Sequence, residues 1–147
     1  MATTHEATAT WQGDLESGKG TISLRSGGLK GATTWKERTE GTGAQSATSP
    51  EELLAAAHAS CFSMALAARI AKAGAPPSKL DVTAKVTFGP MPSGGNGVSS
   101  SALTVRAAAP GLSADKLREL AEDAAKNCPL SKALEGNVAI SVQSSLA

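Results

Sequence analysis

Apolar and polar positions alternate most clearly in the second half of the chain. Val82, Ala84, Val86 and Phe88 are interleaved with Thr83, Lys85 and Thr87. Past the turn residues Ser93-Gly94-Gly95-Asn96-Gly97, the same period resumes through Leu103, Val105, Ala107 and Ala109. A period of two around a glycine-rich turn predicts a β-hairpin with one face inward. Val138, Ile140 and Val142, interleaved with Ala139, Ser141 and Gln143, predict a last strand. From Thr8 to Glu40, β-formers at Ala9, Trp11, Ile22, Leu24 and Trp35 are scattered among Thr, Gly and Ser. That stretch predicts short strands joined by turns at Ser17-Gly18 and Ser26-Gly27-Gly28.

Helical periodicity appears twice. A polar loop, Gly41 to Ser49, leads to Ser49-Pro50-Glu51-Glu52, which supplies a capping serine, a proline at the first helical position and acid in the first turn. The helix this starts is expected to reach Ala73, before Gly74 and Pro76-Pro77. Leu54, His58, Cys61, Ala65 and Ala68 share one of its faces, expected to be buried. Ser113 caps a second helix, from Ala114 to about Asn127, with Leu117, Leu120, Ala121, Ala124 and Ala125 toward the core; Cys128-Pro129 stops it. A short helical turn follows around Ser131 to Leu134. Strands, helix, hairpin, helix and strand in that order predict an α+β fold with antiparallel sheets, as a single domain over residues 1–147.

Aromatic residues make up only 3% of the chain, so the core must be filled by Ala, Val, Leu and Ile, and a large aromatic pocket is not expected. The net charge is +1 and no basic block is present, which argues against nucleic acid or an anionic membrane as partner. Two cysteines are too few for a disulfide-dense secreted scaffold. Met1 to Trp11 has neither the basic start nor the apolar run of a signal peptide, so a cytoplasmic location is expected. The most apolar stretch, Leu53 to Ala68, is broken by His58, Ser60 and Ser63 and is shorter than the roughly 20 residues that span a bilayer. It reads as a buried helix.

The chemistry rests on few residues. Cys61 reads first as a small core hydrophobe. A reactive Cys61, several turns from its helix N-terminus, would need a nearby cation, for which Arg38 in the loop segment before the helix is a candidate. Arg38 reads equally as a solvated surface residue. Cys128 either meets Cys61, to capture an oxidised sulfur as a disulfide, or is an unrelated thiol. His58, three residues before Cys61, reads as a packed core histidine rather than a base or a metal ligand. With His5 and His58 the only histidines, a closed zinc site is hard to assemble, and no metal is expected. Gly13 to Gly20 approaches a phosphate-binding loop, but Gly20 replaces the magnesium-binding hydroxyl and the sequence after it is strand-like. It reads as a turn.

Trp11-Gln12-Gly13-Asp14, Gly18-Lys19-Gly20-Thr21, Arg38 and Ser49-Pro50-Glu51-Glu52-Leu53-Leu54 form a recognisable series with Ala56-Ala57-His58-Ala59-Ser60-Cys61-Phe62-Ser63-Met64-Ala65-Leu66 and Asn127-Cys128-Pro129-Leu130-Ser131. Together they resemble the osmotically inducible protein C family, which includes the organic hydroperoxide resistance proteins. His58 and the placement of Arg38 are more similar to the former branch. The resemblance implies an intertwined homodimer around two central helices. It also implies a thiol-dependent peroxidase for organic hydroperoxides, with hydrogen peroxide as a further substrate, in oxidative or osmotic stress defence. Cys61 would be the peroxidatic and Cys128 the resolving cysteine; Arg38 would activate the thiolate, and Glu51, with Glu52 as the neighbouring alternative, would orient Arg38. No cofactor is implied beyond an external thiol or dithiol reductant, a lipoyl-type dithiol being one option. Two other readings of the same residues are a thiol-disulfide oxidoreductase or redox sensor, and a non-catalytic stress or lipid-binding dimer.

Overall fold

The computed structural model describes residues 1–41, 43 and 46–147; Thr42, Ala44 and Gln45, within the expected Gly41–Ser49 loop, lie outside the described residues. The chain divides into two compact units, Met1–Leu53 and Leu54–Ala147. In the first, strands β1 (Ala7–Gln12), β2 (Lys19–Leu24) and β3 (Lys30–Thr33) form an antiparallel meander. The β1–β2 connection is an Asx turn. Asp14 Oδ1 accepts from the Glu16 and Ser17 backbone N–H groups at 3.0 and 2.9 Å, and the Trp11 indole donates to the Asp14 carbonyl at 3.2 Å. A side chain at Gly18 or Gly20 would collide with Trp11, which explains both glycines by close packing rather than phosphate binding.

Trp35 does not belong to a strand. It opens helix α1 (Trp35–Glu40), whose cap Thr34 accepts from the Glu37 N–H at 3.1 Å and which closes at Gly41 with φ 57°. A capping threonine, an acid in the first turn and a left-handed glycine after the last turn outweigh the β-preference of the aromatic ring. Arg38 is therefore a helical residue, not a loop residue. Downstream, the Thr48 N–H donates to the Ala32 carbonyl at 2.8 Å and fixes the approach to α2 (Pro50–Lys72). Ser49 caps that helix as expected, its hydroxyl accepting from the Glu52 N–H at 3.1 Å.

In the second unit, β4 (Lys79–Pro90) and β5 (Asn96–Ala108) form the expected hairpin, with a register shift between Thr87 and Phe88. Helices α3 (Ala114–Asn127) and α4 (Pro129–Leu134) follow, then β6 (Ala139–Leu146). The α+β class holds, with two three-stranded sheets, although β6 pairs with β5 in parallel rather than antiparallel fashion. The α3–α4 excursion is long enough to return the chain to the end of the sheet where β5 began. That leaves β5 as the central strand, with Ser101, Leu103, Val105 and Ala107 buried on one face.

The buried stripe of α2 is His58, Phe62, Leu66 and Ile70. Cys61 is only half-buried and Ala68 is exposed, which shifts the expected face by one residue. The larger side chains at intervals of four take the core, and 100° per residue turns their neighbours aside. The helix is 23 residues long and, by length and composition alone, apolar enough to cross a membrane. Its stripe is instead packed with Leu103, Val105, Leu117, Ala121 and Cys128 in the core of the unit. With so few aromatics, Phe62 carries much of that core's volume. Phe62→Ala is expected to cost about 3–5 kcal/mol and Ile70→Val about 0.5–1.5 kcal/mol in denaturant unfolding.

Candidate active site

Two groups of chemistry-bearing residues are assembled, one in each unit. In the second unit, Cys128 occupies the joint between α3 and α4. Its N–H donates to the Ala124 carbonyl at 2.8 Å, and its own carbonyl accepts from Lys132 at 3.0 Å. The residue before a proline is driven out of helical conformation, and Cys128 accordingly has ψ 129°. This break aims its side chain at α2, where the Cys61 sulfur lies 3.0 Å away, the two thiols reduced and hydrogen-bonded. Cys61 is partly open to solvent; Cys128 is fully buried.

The surroundings separate the two thiols electrostatically. Burial pushes the Cys61 thiol up, and its hydrogen bond with Cys128 pushes it further the same way. Burial opposes ionisation of Cys128 as well. There, however, the contact with Cys61 and the polar groups of Leu130 and Ser131 at the start of α4 outweigh it and bring the thiol below its ordinary value. Within this unit the shared proton therefore favours Cys61.

His58, fully buried one turn before Cys61, has both ring nitrogens occupied. Nδ1 lies 2.8 Å from the Ser101 hydroxyl of β5, and Nε2 lies 2.9 Å from the Ser131 hydroxyl of α4. Burial lowers its basicity. Neither serine was singled out in the sequence. Ser101 could have been found as the polar residue in register with inward-facing Leu103 and Val105, and Ser131 by its place one helical turn after Cys128.

In the first unit, Arg38 Nε and Nη2 both donate to Glu51 Oε1, at 3.1 and 2.9 Å. Glu51 is buried, and its Oε2 has no hydrogen-bond partner among the described residues. Glu52 is turned elsewhere and accepts from the Thr48 hydroxyl. Among the described residues, no group of three or more His, Cys, Asp and Glu side chains is arranged to hold a metal ion.

Comparison with known proteins gives these groups a context. Residues 41–143 match the OsmC-like protein family. The chain is 37% identical over 136 residues to the peroxiredoxin OsmC of Escherichia coli, covering 92% of each. Its fold matches an organic hydroperoxide resistance protein from Elizabethkingia anophelis at TM-score 0.75 and 29% identity, over the whole of both chains. The OhrB organic hydroperoxide resistance protein of Bacillus subtilis matches at TM-score 0.75 and 28% identity, over 95% of this chain and 98% of that one.

The buried histidine has a consequence for stability. Because the folded ring resists protonation, the unfolded chain binds the extra proton as pH falls through the ordinary value of 6.5. Unfolding free energy should therefore be insensitive to this group above that value and decline below it. Denaturant midpoints at mildly alkaline and mildly acidic pH test this, and His58→Gln should flatten the acid limb while lowering stability overall.

Proposed function

The chain belongs to the OsmC-like protein family, and on that footing we propose that it is a thiol-dependent peroxidase that reduces organic hydroperoxides, and hydrogen peroxide as a second substrate, in oxidative or osmotic stress defence. The observation that carries this reading is the cysteine pair: two reduced sulfurs 3.0 Å apart, one reachable and one sealed. Disulfide formation needs an approach of only about 1 Å from there. The relatives' names, peroxiredoxin and organic hydroperoxide resistance protein, support the same chemistry. Phe62 apart, the core beside the pair is built from Ala, Val, Leu and Ile, and surroundings so poor in aromatic side chains suit an alkyl hydroperoxide.

In this reading the accessible Cys61, as thiolate, attacks the terminal peroxide oxygen. The O–O bond breaks, an alcohol or water leaves, and Cys61 becomes a sulfenic acid. Cys128 then closes the disulfide, and an external dithiol, a lipoyl-type compound being one option, restores both thiols. Arg38, held by Glu51, supplies the cation that draws the proton off Cys61 against the local preference for Cys128. Glu51 stands ten residues before Cys61 on α2, about 15 Å along the helix axis. The arginine–glutamate pair therefore acts on the thiol of a second copy in a homodimer. No metal, flavin or haem takes part, and the protein works in the cytoplasm.

Peroxide consumption with excess dithiol, in wild type and variants, tests the reading. Turnover should vanish in Cys61→Ser. Without reductant, Cys128→Ser should consume one equivalent per Cys61 and stop, whereas a pure disulfide exchanger would consume none. Arg38→Ala should slow the peroxide step by about tenfold to a thousandfold, the range set by removing a cation beside an ionising group. Equal, background-level consumption by wild type and Cys61→Ser across several dithiols would overturn the peroxidase.

A further inference from the structure

The cycle above leaves unused a buried histidine, and what that histidine holds is the short helix that follows the resolving cysteine. On α2, His58 precedes Cys61 by three residues; at the start of α4, Ser131 follows Cys128 by three. Residues three apart on a helix share a face. The two elements therefore meet along two neighbouring contacts, Cys61 to Cys128 at 3.0 Å and His58 Nε2 to the Ser131 hydroxyl at 2.9 Å. The other ring nitrogen, Nδ1, lies 2.8 Å from the Ser101 hydroxyl of β5, so the sheet fixes the ring as well. Hydroxyls both donate and accept, and either tautomer of the ring satisfies both contacts.

Helix α4 has little else to hold it in place. It spans six residues, far short of what is stable alone, and Cys128 gives it no side-chain cap. Ser131 is the residue it buries, while Leu130 is only partly covered by the core. An apolar contact at Ser131 would tolerate sliding and rotation. A buried histidine and hydroxyl do not, because each is costly to leave unpaired. One residue of slip advances a helix by about 1.5 Å and turns it by about 100°, which would part both contacts.

Resting on the peroxidase reading, we infer that His58 and Ser131 are positioning residues for disulfide closure: with Ser101 behind the ring, their contact holds α4 in register on α2 and keeps Cys128 within bonding reach of Cys61. In the step they serve, Cys128 Sγ bonds to Cys61 Sγ while the S–O bond of the sulfenic acid breaks. The departing hydroxide takes the Cys128 proton and leaves as water. The Cys128 sulfur is oxidised as the sulfenic sulfur is reduced. Held at 3.0 Å, the sulfurs need to approach by only about 1 Å, and α4 need not be ordered at the moment of reaction. His58 gives and takes no proton in this step, because both of its nitrogens are committed to the serines.

Two readouts test the inference independently of each other. In the first, the reduced protein is equilibrated with glutathione and glutathione disulfide, which oxidises the pair by exchange and needs no peroxide. The ratio at balance gives the effective concentration of one thiol at the other. Ser131→Ala should lower it about threefold to tenfold, the equivalent of one net hydrogen bond. Ser131→Thr, which keeps the hydroxyl, should stay near wild type, and Ser101→Ala should fall between. Ile70→Val, which loosens the same core away from the pair, should leave the value unchanged and so separates positioning from general destabilisation. In the second readout, one equivalent of peroxide is added and the sulfenic acid is trapped over time. It should persist about threefold to tenfold longer in Ser131→Ala than in wild type. A folded Ser131→Ala protein whose effective concentration falls no further than that of Ile70→Val would overturn the inference; if that variant does not fold, Ser101→Ala is judged by the same comparison. If wild type forms no sulfenic acid, the peroxidase reading fails, while the exchange equilibrium still decides the role of the contact.

Discussion

Two thiols whose sulfurs lie 3.0 Å apart are the constraint on which the chemistry of the second unit depends. At that spacing in a mostly buried setting, two thiolates would repel strongly, so at most one of the two thiols ionises at a time. The protein's secondary structure exists, in effect, to choose between them. The proline break after α3 sets Cys128 at the start of α4, whose polar groups lower its thiol below the ordinary value, while burial raises Cys61 on the edge of α2. A cation brought to Cys61 reverses the preference, and in the peroxidase reading the Arg38 guanidinium, held by Glu51, is that cation. Both the resting preference and its reversal are then part of one cycle: each sulfur must be the nucleophile once.

Much of this frame was legible in the sequence because it rests on local rules. The Ser49 cap, the Ser113 cap, the limits of α3 and the period-two hairpin all involve residues within a few positions of one another. What escaped was either too short or too distant. Helix α1 spans six residues, less than two turns, and its caps lie in a stretch whose composition favours strands. The parallel pairing of β6 depends on where a helical excursion lands, which no periodicity records. The stripe on α2 was misjudged by one residue because alanine at most positions leaves the helical pattern nearly featureless until Phe62, Leu66 and Ile70 are weighted by size.

The candidate site divides along the same line. Cys61, Cys128 and Arg38 were raised as candidates from the residues, each beside an ordinary packing or surface role, and the resemblance to a known family chose between the readings and added Glu51. The structure adds the Arg38–Glu51 ion pair and the contact between the thiols. His58 was legible as a core residue, but its partners lie 43 and 73 residues away, and serine is too common for either to stand out. A polar side chain on the buried face of a central strand was the available signal. Such a group is retained at a cost unless it is hydrogen-bonded, and here its partner is the histidine.

The enclosure of Cys128 also bears on how an oxidised pair would be reset. A thiol reductant attacks whichever sulfur it can reach, and only Cys61 is open to solvent. The mixed disulfide would then form on Cys61, with Cys128 expelled. Leaving-group ability in thiol exchange rises as the departing thiol becomes more acidic. The lowered thiol of Cys128 thus favours the same direction of reduction that its burial imposes, and in the peroxidase reading the sulfur that closes the disulfide is also the one suited to depart when it opens.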